Sequence, residues 1–332
     1  MTSVSRMAQI ISSDLLRANV GFEDLITSVS LAFQASSGGK AQSGLITMFP
    51  ADPRDQGDVY VKTGAVEGAA IFIVKVSPWF AVNVENGFPQ GGFVAVFDAA
   101  TGHTRAILDD QHYLSDIRTA AAGALAARML APRVVVTAAV LGAGVQAYWQ
   151  IVALFHERPF RRILIWARED EKARALATRL QGVLPAVDIE IVGEVEAAVR
   201  RADVLITATS AREPIVRGEW MKPGQHITAV GADDATKCEL DALALNRARV
   251  FVDERQTALA NGDVHRAVGR GEYEAQAIVG EIGEVLAGRV AGRRTADEIT
   301  IAKFVGLGVQ DLAAAQVAVE ILDRQAGSLA SS

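Results

Sequence analysis

The sequence predicts an α/β protein: a doubly wound parallel sheet joined to a second, α+β domain. Three observations carry this. The stretch 134–147, VVVTAAVLGAGVQA, runs from β-branched and small apolar residues into a glycine turn, as a buried parallel strand does on entering a helix. From there to Val252, short apolar runs alternate with helical stretches, the pattern of a parallel sheet covered on both faces. Before residue 130 the pattern changes to apolar strands joined by turns, which reads as antiparallel β.

Taken in order, the first 25 residues carry Asp14, Arg17 and Glu23. They read as an amphipathic helix lacking the apolar centre of a signal peptide. Val59–Lys62, Ala70–Ser77 and Gly92–Asp98 follow as strands. Asp98–His103 is a hairpin turn leading into Thr104–Leu108, and Leu114–Met129 is a long helix. The parallel unit opens with the strand that ends at Leu141. Gly142, Gly144 and Ala147 form a GxGxxA turn. The first glycine allows the bend, the second admits a pyrophosphate, and the small alanine lets the helix pack. The free N–H groups of that helix favour phosphate. Small residues also serve ordinary helix–strand packing, so the context decides. It is a complete βαβ unit: helix Tyr148–His156, strand Arg161–Arg168, helix Asp170–Leu184. Strand Asp188–Val192, helix Val195–Ala202 and strands Asp203–Thr209, His226–Gly231 and Val250–Val252 complete a Rossmann-type sheet. The last residues, AGSLASS, are expected to fray.

The chain has 332 residues, half of them apolar, and a net charge of −6. That length suits two domains. The acidic balance leaves no electrostatic footprint for nucleic acid. No apolar run reaches the ~18 residues that span a membrane. Cys238 is the only cysteine, and the five histidines show no H-x-x-x-H pair, so no metal is expected. A cytoplasmic protein follows.

Three charged residues interrupt apolar surroundings: Lys75 within IFIVKV, Arg118 at the head of RTAAA, and Asp233 just after VGA. Asp233 lies where open α/β sheets bind ligands, beyond a strand's carboxyl end. The plainer readings are an edge-strand lysine, a helix-surface arginine and a turn aspartate.

At this point the chain resembles the ornithine cyclodeaminase/μ-crystallin family. The likeness is carried by Lys75-Val76-Ser77-Pro78 with Asn83, by Gly87-Phe88-Pro89, and by Leu114–Ala121. It continues through Leu141–Ala147, Val230–Asp233 with Glu239-Leu240-Asp241, Gly283–Arg289, Glu298–Thr300 and Gly306–Asp311. It implies a substrate-binding and dimerisation domain, 1–129 completed by 304–332, around a dinucleotide-binding domain, 130–303. Members move a hydride between a nicotinamide cofactor and the α-carbon of an amino or imino acid, and some cyclise a diamino acid with loss of ammonia. Lys75 and Arg118 match residues that hold the substrate carboxylate, and Asp233 matches the acid that handles its nitrogen. Arginine forks onto a planar carboxylate, and a carboxylate beside the nitrogen favours the iminium that accepts hydride. Cofactor contacts are expected at Thr119 and through the turn, at Gly142, Ala143, Gly144, Val145 and Gln146. They continue at the ends of the later strands: Trp166 and Arg168, Thr207, Ala208 and Thr209, Val230 and Gly231, Val305 and Gly306. A homodimer through the N-terminal β region is implied.

Two departures narrow the reading. Cyclodeaminases carry a glutamate thirteen residues before the lysine; here the residue is Lys62. A lysine repels a second ammonium and suits a distal anionic group, unless it simply faces solvent. With Ser77-Pro78 and Gly308–Asp311, this is most similar to the ectoine-utilisation and iminosuccinate-reductase branches. Secondly, the second strand of the unit ends in Trp166-Ala167-Arg168, with no acid for the ribose hydroxyls. Arg168 suits a 2′-phosphate, favouring NADP(H) over NAD(H). Glu169 or Asp170 near the ribose, or Arg168 as a helix start, are the competing readings. The expectation is an NAD(P)H-dependent imine reductase or amino-acid dehydrogenase. An ornithine-type cyclodeaminase, a non-catalytic NADP-binding relative and an unrelated dehydrogenase remain the alternatives.

Overall fold

The computed structural model describes residues 8–53, 56–83 and 90–330, with 325–330 as backbone alone. Gly87-Phe88-Pro89 therefore lies outside the described residues. The chain divides into two compact units, 1–118 with 307–332 and 119–306. The first cut falls inside a long helix and not at its end.

Unit one begins with β1 (Gln9–Ser12), α1 (Ser13–Asn19) and α2 (Phe22–Ser37). The amphipathic N-terminal helix expected from sequence is thus a strand and two helices. Ser12 caps α1, accepting from the Leu15 amide, and Asp24 accepts from Gly21 N at 2.8 Å to start α2. Four antiparallel neighbours follow: β2 (Ala41–Met48), β3 (Gly57–Val66), β4 (Ile71–Phe80) and β5 (Phe93–Asp98). Then come β6 (Thr104–Asp109) and α3 (Tyr113–Leu130). The sheet order is β1-β6-β5-β4-β3-β2, with only β1–β6 parallel. The strand β2 escaped the sequence reading because it is the exposed edge. On β4, Ile71, Ile73, Lys75 and Ser77 share the buried face.

Unit two is an eight-stranded parallel sheet built from β7 (Thr137–Leu141), β8 (Arg162–Trp166), β9 (Asp188–Ile191) and β10 (Val204–Thr207). It continues with β11 (His226–Ala229), β12 (Arg249–Val252), β13 (Gly280–Glu281) and β14 (Thr300–Lys303). The order β13-β12-β14-β11-β10-β7-β8-β9 reverses direction at β7. Interleaved are α4 (Val145–Glu157), α5 (Asp170–Val183), α6 (Val195–Arg201), α7 (Ala242–Arg247), α8 (Arg255–Ala260), α9 (Gly262–Gly269) and α10 (Ile282–Leu286). Ala138 and Val140 belong to one buried core and Ala139 and Leu141 to the other. Both faces of β7 are therefore covered, which explains its unbroken apolar run. The expected strand start at Val134 is corrected: Val134 and Val136 are exposed and precede the ladder.

The final helix, α11 (Gly308–Ala330), returns to unit one and packs on α2, β3 and β4. Its backbone is helical to Ala330, within the segment expected to fray. No described helix is long and apolar enough to cross a membrane.

Candidate active site

In unit one the interrupting charges meet. Lys75 Nζ donates to Ser115 Oγ at 2.7 Å and lies 3.0 Å from Asp311 Oδ2. Arg118 Nε donates to Asp311 Oδ1 at 2.9 Å. Lys75, Arg118 and Asp311 retain 3%, 6% and 2% of their accessible surface, so the plain readings of Lys75 and Arg118 fail. Lys62 stands directly opposite Lys75 across β3 and β4, on the same face and partly buried. Like charges in that register repel unless an anion sits with them. Burial opposes ionisation of Asp311, but Arg118, Lys75 and Lys62 together hold its carboxyl well below the usual carboxylate range. Burial lowers the Lys75 pKa; Asp311 works against that and Arg118 adds to it. Asp110, also buried, accepts from Leu114 N at 3.0 Å, and burial raises its pKa. Lys62, Lys75 and Arg118 thus all act on the carboxylate of Asp311, and Asp110 acts on Lys75 as well.

The glycines seat Asp311. A Cβ on Gly64 would lie 2.3 Å from the Gly308 carbonyl oxygen, so β3 and the start of α11 touch backbone to backbone. Gln310 Oε1 accepts from Leu307 N at 2.7 Å and fixes the helix entry.

In unit two, β7 ends in Gly142, whose φ of +111° favours glycine. Its N–H donates to Trp166 O at 2.8 Å. Gly144 caps α4, and a Cβ there would meet nothing within 4 Å. This open space before a free helix N-terminus fits a phosphate, and Ala147 is fully buried behind it. Val145 is exposed and Ala143 and Gln146 are partly exposed on the same turn. Trp166 Nε1 donates to Gly193 O at 3.2 Å. Arg168 is exposed, whereas Glu169 pairs with Lys172 at 2.8 Å and Asp170 with Arg174 at 3.7 Å. The two acids that competed with Arg168 for the ribose are thus paired along α5.

The strand ends behind the cradle are held by acids. Glu239, fully buried, accepts from Thr207 Oγ1 at 2.7 Å, Thr209 N at 2.6 Å, Thr209 Oγ1 at 2.8 Å and Gly231 N at 2.9 Å. Burial, with the charge of Asp263, pushes its pKa up. Ala208 N donates to Leu141 O and Val230 N to Thr207 O, both at 2.9 Å. Asp253 Oδ2 accepts from Val305 N and Gly306 N, each at 2.7 Å. Gln150 Nε2 donates to Thr119 O at 2.8 Å. Asp233, with 44% of its side chain exposed, accepts from Lys237 Nζ at 2.6 Å, in keeping with a turn aspartate.

Sequence reasoning gave no role to Asp311, Ser115, Asp110, Glu239 or Asp253. Asp311 carried the same signal as Arg118, a charge ahead of an apolar run, Leu312-Ala313-Ala314-Ala315.

Residues 11–325 match the ornithine cyclodeaminase/mu-crystallin family. The chain belongs to this family. It is 40% identical over 283 residues to an uncharacterized cyclodeaminase of Sinorhizobium fredii, covering 84% of this chain and 85% of that one. Its fold is similar to that of Thermococcus litoralis Delta(1)-pyrroline-2-carboxylate reductase in complex with NADH and L-proline. The TM-score is 0.90 at 27% identity, over 96% of this chain and 98% of that one. It is similar also to the iminosuccinate reductase of Paracoccus denitrificans in complex with NAD+, with a TM-score of 0.88 at 27% identity over 97% and 98%.

Proposed function

We propose that this family member is an NAD(P)-dependent oxidoreductase that reduces the C=N bond of an α-imino acid. The observation that carries the reading is the buried pairing of Lys75 and Arg118 with the one carboxylate of Asp311. The resemblance to two imine reductases, each with a nicotinamide cofactor bound, supports it.

Gly142, Gly144 and the first turn of α4 would hold the pyrophosphate, with Thr207–Thr209, Gly231 and Gly306 beside the remaining cofactor. The cofactor, when bound, supplies the hydride. Arg118 and Lys75 bind the substrate carboxylate and fix which face of the C=N bond is presented. As hydride adds to the α-carbon, the C=N π pair moves to nitrogen. Asp233 exchanges Lys237 for the protonated nitrogen of the iminium before transfer and of the amine after it.

Lys62 favours a substrate with a distal anionic group, because its charge already acts on Asp311. Arg168 favours NADP(H), because Glu169 and Asp170 are engaged elsewhere. The protein forms a homodimer through the N-terminal β region, where Leu45, Ile46, Met48 and Phe49 are exposed at and beside the β2 edge. A single buried cysteine suits the cytoplasm.

The test is a panel of imines, of keto acids with amines, and of basic amino acids, followed by NAD(P)H absorbance. Consumption of reduced cofactor with an α-imino acid is expected, strongest where a second carboxylate is present. Lys62→Glu should shift preference toward diamino acids by on the order of tenfold to a hundredfold. Release of ammonia from ornithine without net redox change would favour a cyclodeaminase, and no reaction with any compound would defeat the enzyme reading.

A further inference from the structure

Asp311 is the one member of the charge cluster that a carboxylate-binding site does not need on its face. An anion beside a substrate anion repels it. Yet its placement is elaborate. It sits in the first turn of a 23-residue helix, where the helix dipole favours a carboxylate. The Gly64–Gly308 backbone contact leaves that turn no room to back away from β3. Val309 N donates to Ser43 Oγ at 3.2 Å, which ties the same turn to β2. One oxygen then reaches α3 through Arg118, and the other reaches β4 through Lys75.

The choice of atoms matters. Asp311 takes Nε, the inner nitrogen of the Arg118 guanidinium, and among the described residues no hydrogen bond engages the outer pair. Those two nitrogens form the end-on fork that receives a carboxylate with two parallel bonds. Lys75 spends one proton on Ser115 and faces Asp311 with another; an ammonium has three. Arg118 is therefore held by one donor and keeps its outer pair, and Lys75, with Ser115 and Asp311 beside it, keeps one proton for a ligand. Lys62, Lys75 and Arg118 all act on Asp311, and Asp110 acts on Lys75 as well.

We propose that Asp311 is the positioning residue of the carboxylate clamp, an internal carboxylate that anchors Arg118 through Nε and Lys75 through Nζ so that their outer donors point at the substrate carboxylate. This rests on the carboxylate-clamp reading of the proposed function. It also sets the charge of the clamp. The groups facing Lys75 are Asp311 from α11, Arg118 and Ser115 from α3, Lys62 from β3, and Asp110 before α3 with His112 beside it. Asp311 is the first of these that works against burial to keep Lys75 protonated.

The test uses Asp311→Asn and Asp311→Glu in the full chain. Three readouts are taken: kcat and KM for the imine across pH, NAD(P)H affinity by fluorescence, and thermal melting. In Asp311→Asn the KM near neutral pH rises about tenfold or more while cofactor affinity stays within about twofold. The high-pH limb of kcat/KM moves down by about one pH unit, because Lys75 loses its nearest anion. Asp311→Glu keeps the charge but lengthens the arm, so its KM rises about threefold or more with the limb unmoved. A folded Asp311→Asn enzyme with an unmoved limb, or equal losses of cofactor and substrate affinity, overturns the proposal. Should Asp311→Asn not fold, an unchanged KM in Asp311→Glu overturns it. If the wild type reduces no imine, the functional reading falls by itself. Protection by L-proline against thermal unfolding then replaces KM as the readout. Protection of wild type but not Asp311→Asn at alkaline pH sustains the positioning role, and equal protection or none removes it.

Discussion

Alanine at Gly142 and alanine at Gly144 should both weaken cofactor binding, but only the first should damage the fold. Gly142 has φ +111°, a region other residues enter at a cost of about 1–3 kcal/mol. Its new Cβ would lie 2.3 Å from the Ala208 carbonyl oxygen. Ala208 cannot retreat freely, because its N–H is bonded to Leu141 O and the adjoining Thr209 is held by Glu239. Forcing such an overlap costs about 1–3 kcal/mol more. Together this is about 2–6 kcal/mol, or a melting temperature lower by roughly 5–20 °C for a unit of this size. Gly144 has an ordinary φ of −82° and empty space where a Cβ would go. Alanine there forfeits only a modest capping preference, below about 1 kcal/mol. It fills the space that a pyrophosphate would use, so affinity should drop by about tenfold or more. Differential scanning fluorimetry and NAD(P)H fluorescence titration separate the two. The reasoning is refuted if Gly144→Ala binds cofactor as wild type does, or if Gly142→Ala melts at the wild-type temperature.

Arg118→Ala should raise substrate KM while sparing cofactor affinity, and should also destabilise by about 3–5 kcal/mol, since it strips a partner from buried Asp311; wild-type stability in urea titration would contradict the burial argument. Arg168→Ala should weaken NADPH binding by about tenfold or more and leave NADH almost untouched, and equal effects on both cofactors would remove Arg168 from the 2′ position. His226 is buried between Thr300 and Thr228, and burial, with the charge of Arg293, lowers its pKa to about 3. Below pH 6.5 the unfolded chain binds a proton there that the native state refuses, so stability falls with acid by about 1.4 kcal/mol per pH unit. Urea titrations at pH 7 and pH 5 should show this loss in wild type and a smaller one in His226→Gln; an identical loss would refute the assignment.

The parallel sheet was legible because strands covered on both faces leave long apolar runs, as in Val140–Leu141 and Leu205–Ile206. The edge strand β2 was not, because most of Ala41–Met48 is exposed and alternates weakly. Gln9–Ser12 was absorbed into a helical reading because four residues pair only with distant Ala106–Asp109. Lys75 and Arg118 stood out as charges in apolar surroundings. Their common partner did not, because Asp311 lies 193 residues beyond Arg118 and only the return of α11 brings it there. Glu239 was visible as a residue but not as a clasp, since its four donors are backbone and hydroxyl groups at and beyond the ends of two different strands.

That return has a consequence for the order of assembly. Unit two is one uninterrupted length of chain, 119–306, whereas unit one is split between the two termini. A ribosome delivers everything unit two needs before the closing helix of unit one has been made. Until then β3 and β4 lack the helix that covers them, and Lys75 and Arg118 lack their shared carboxylate. A chain terminated after Gly306 would keep its whole nucleotide fold and strand two cations beside bare sheet. A stop after Gly306 therefore falls on unit one alone.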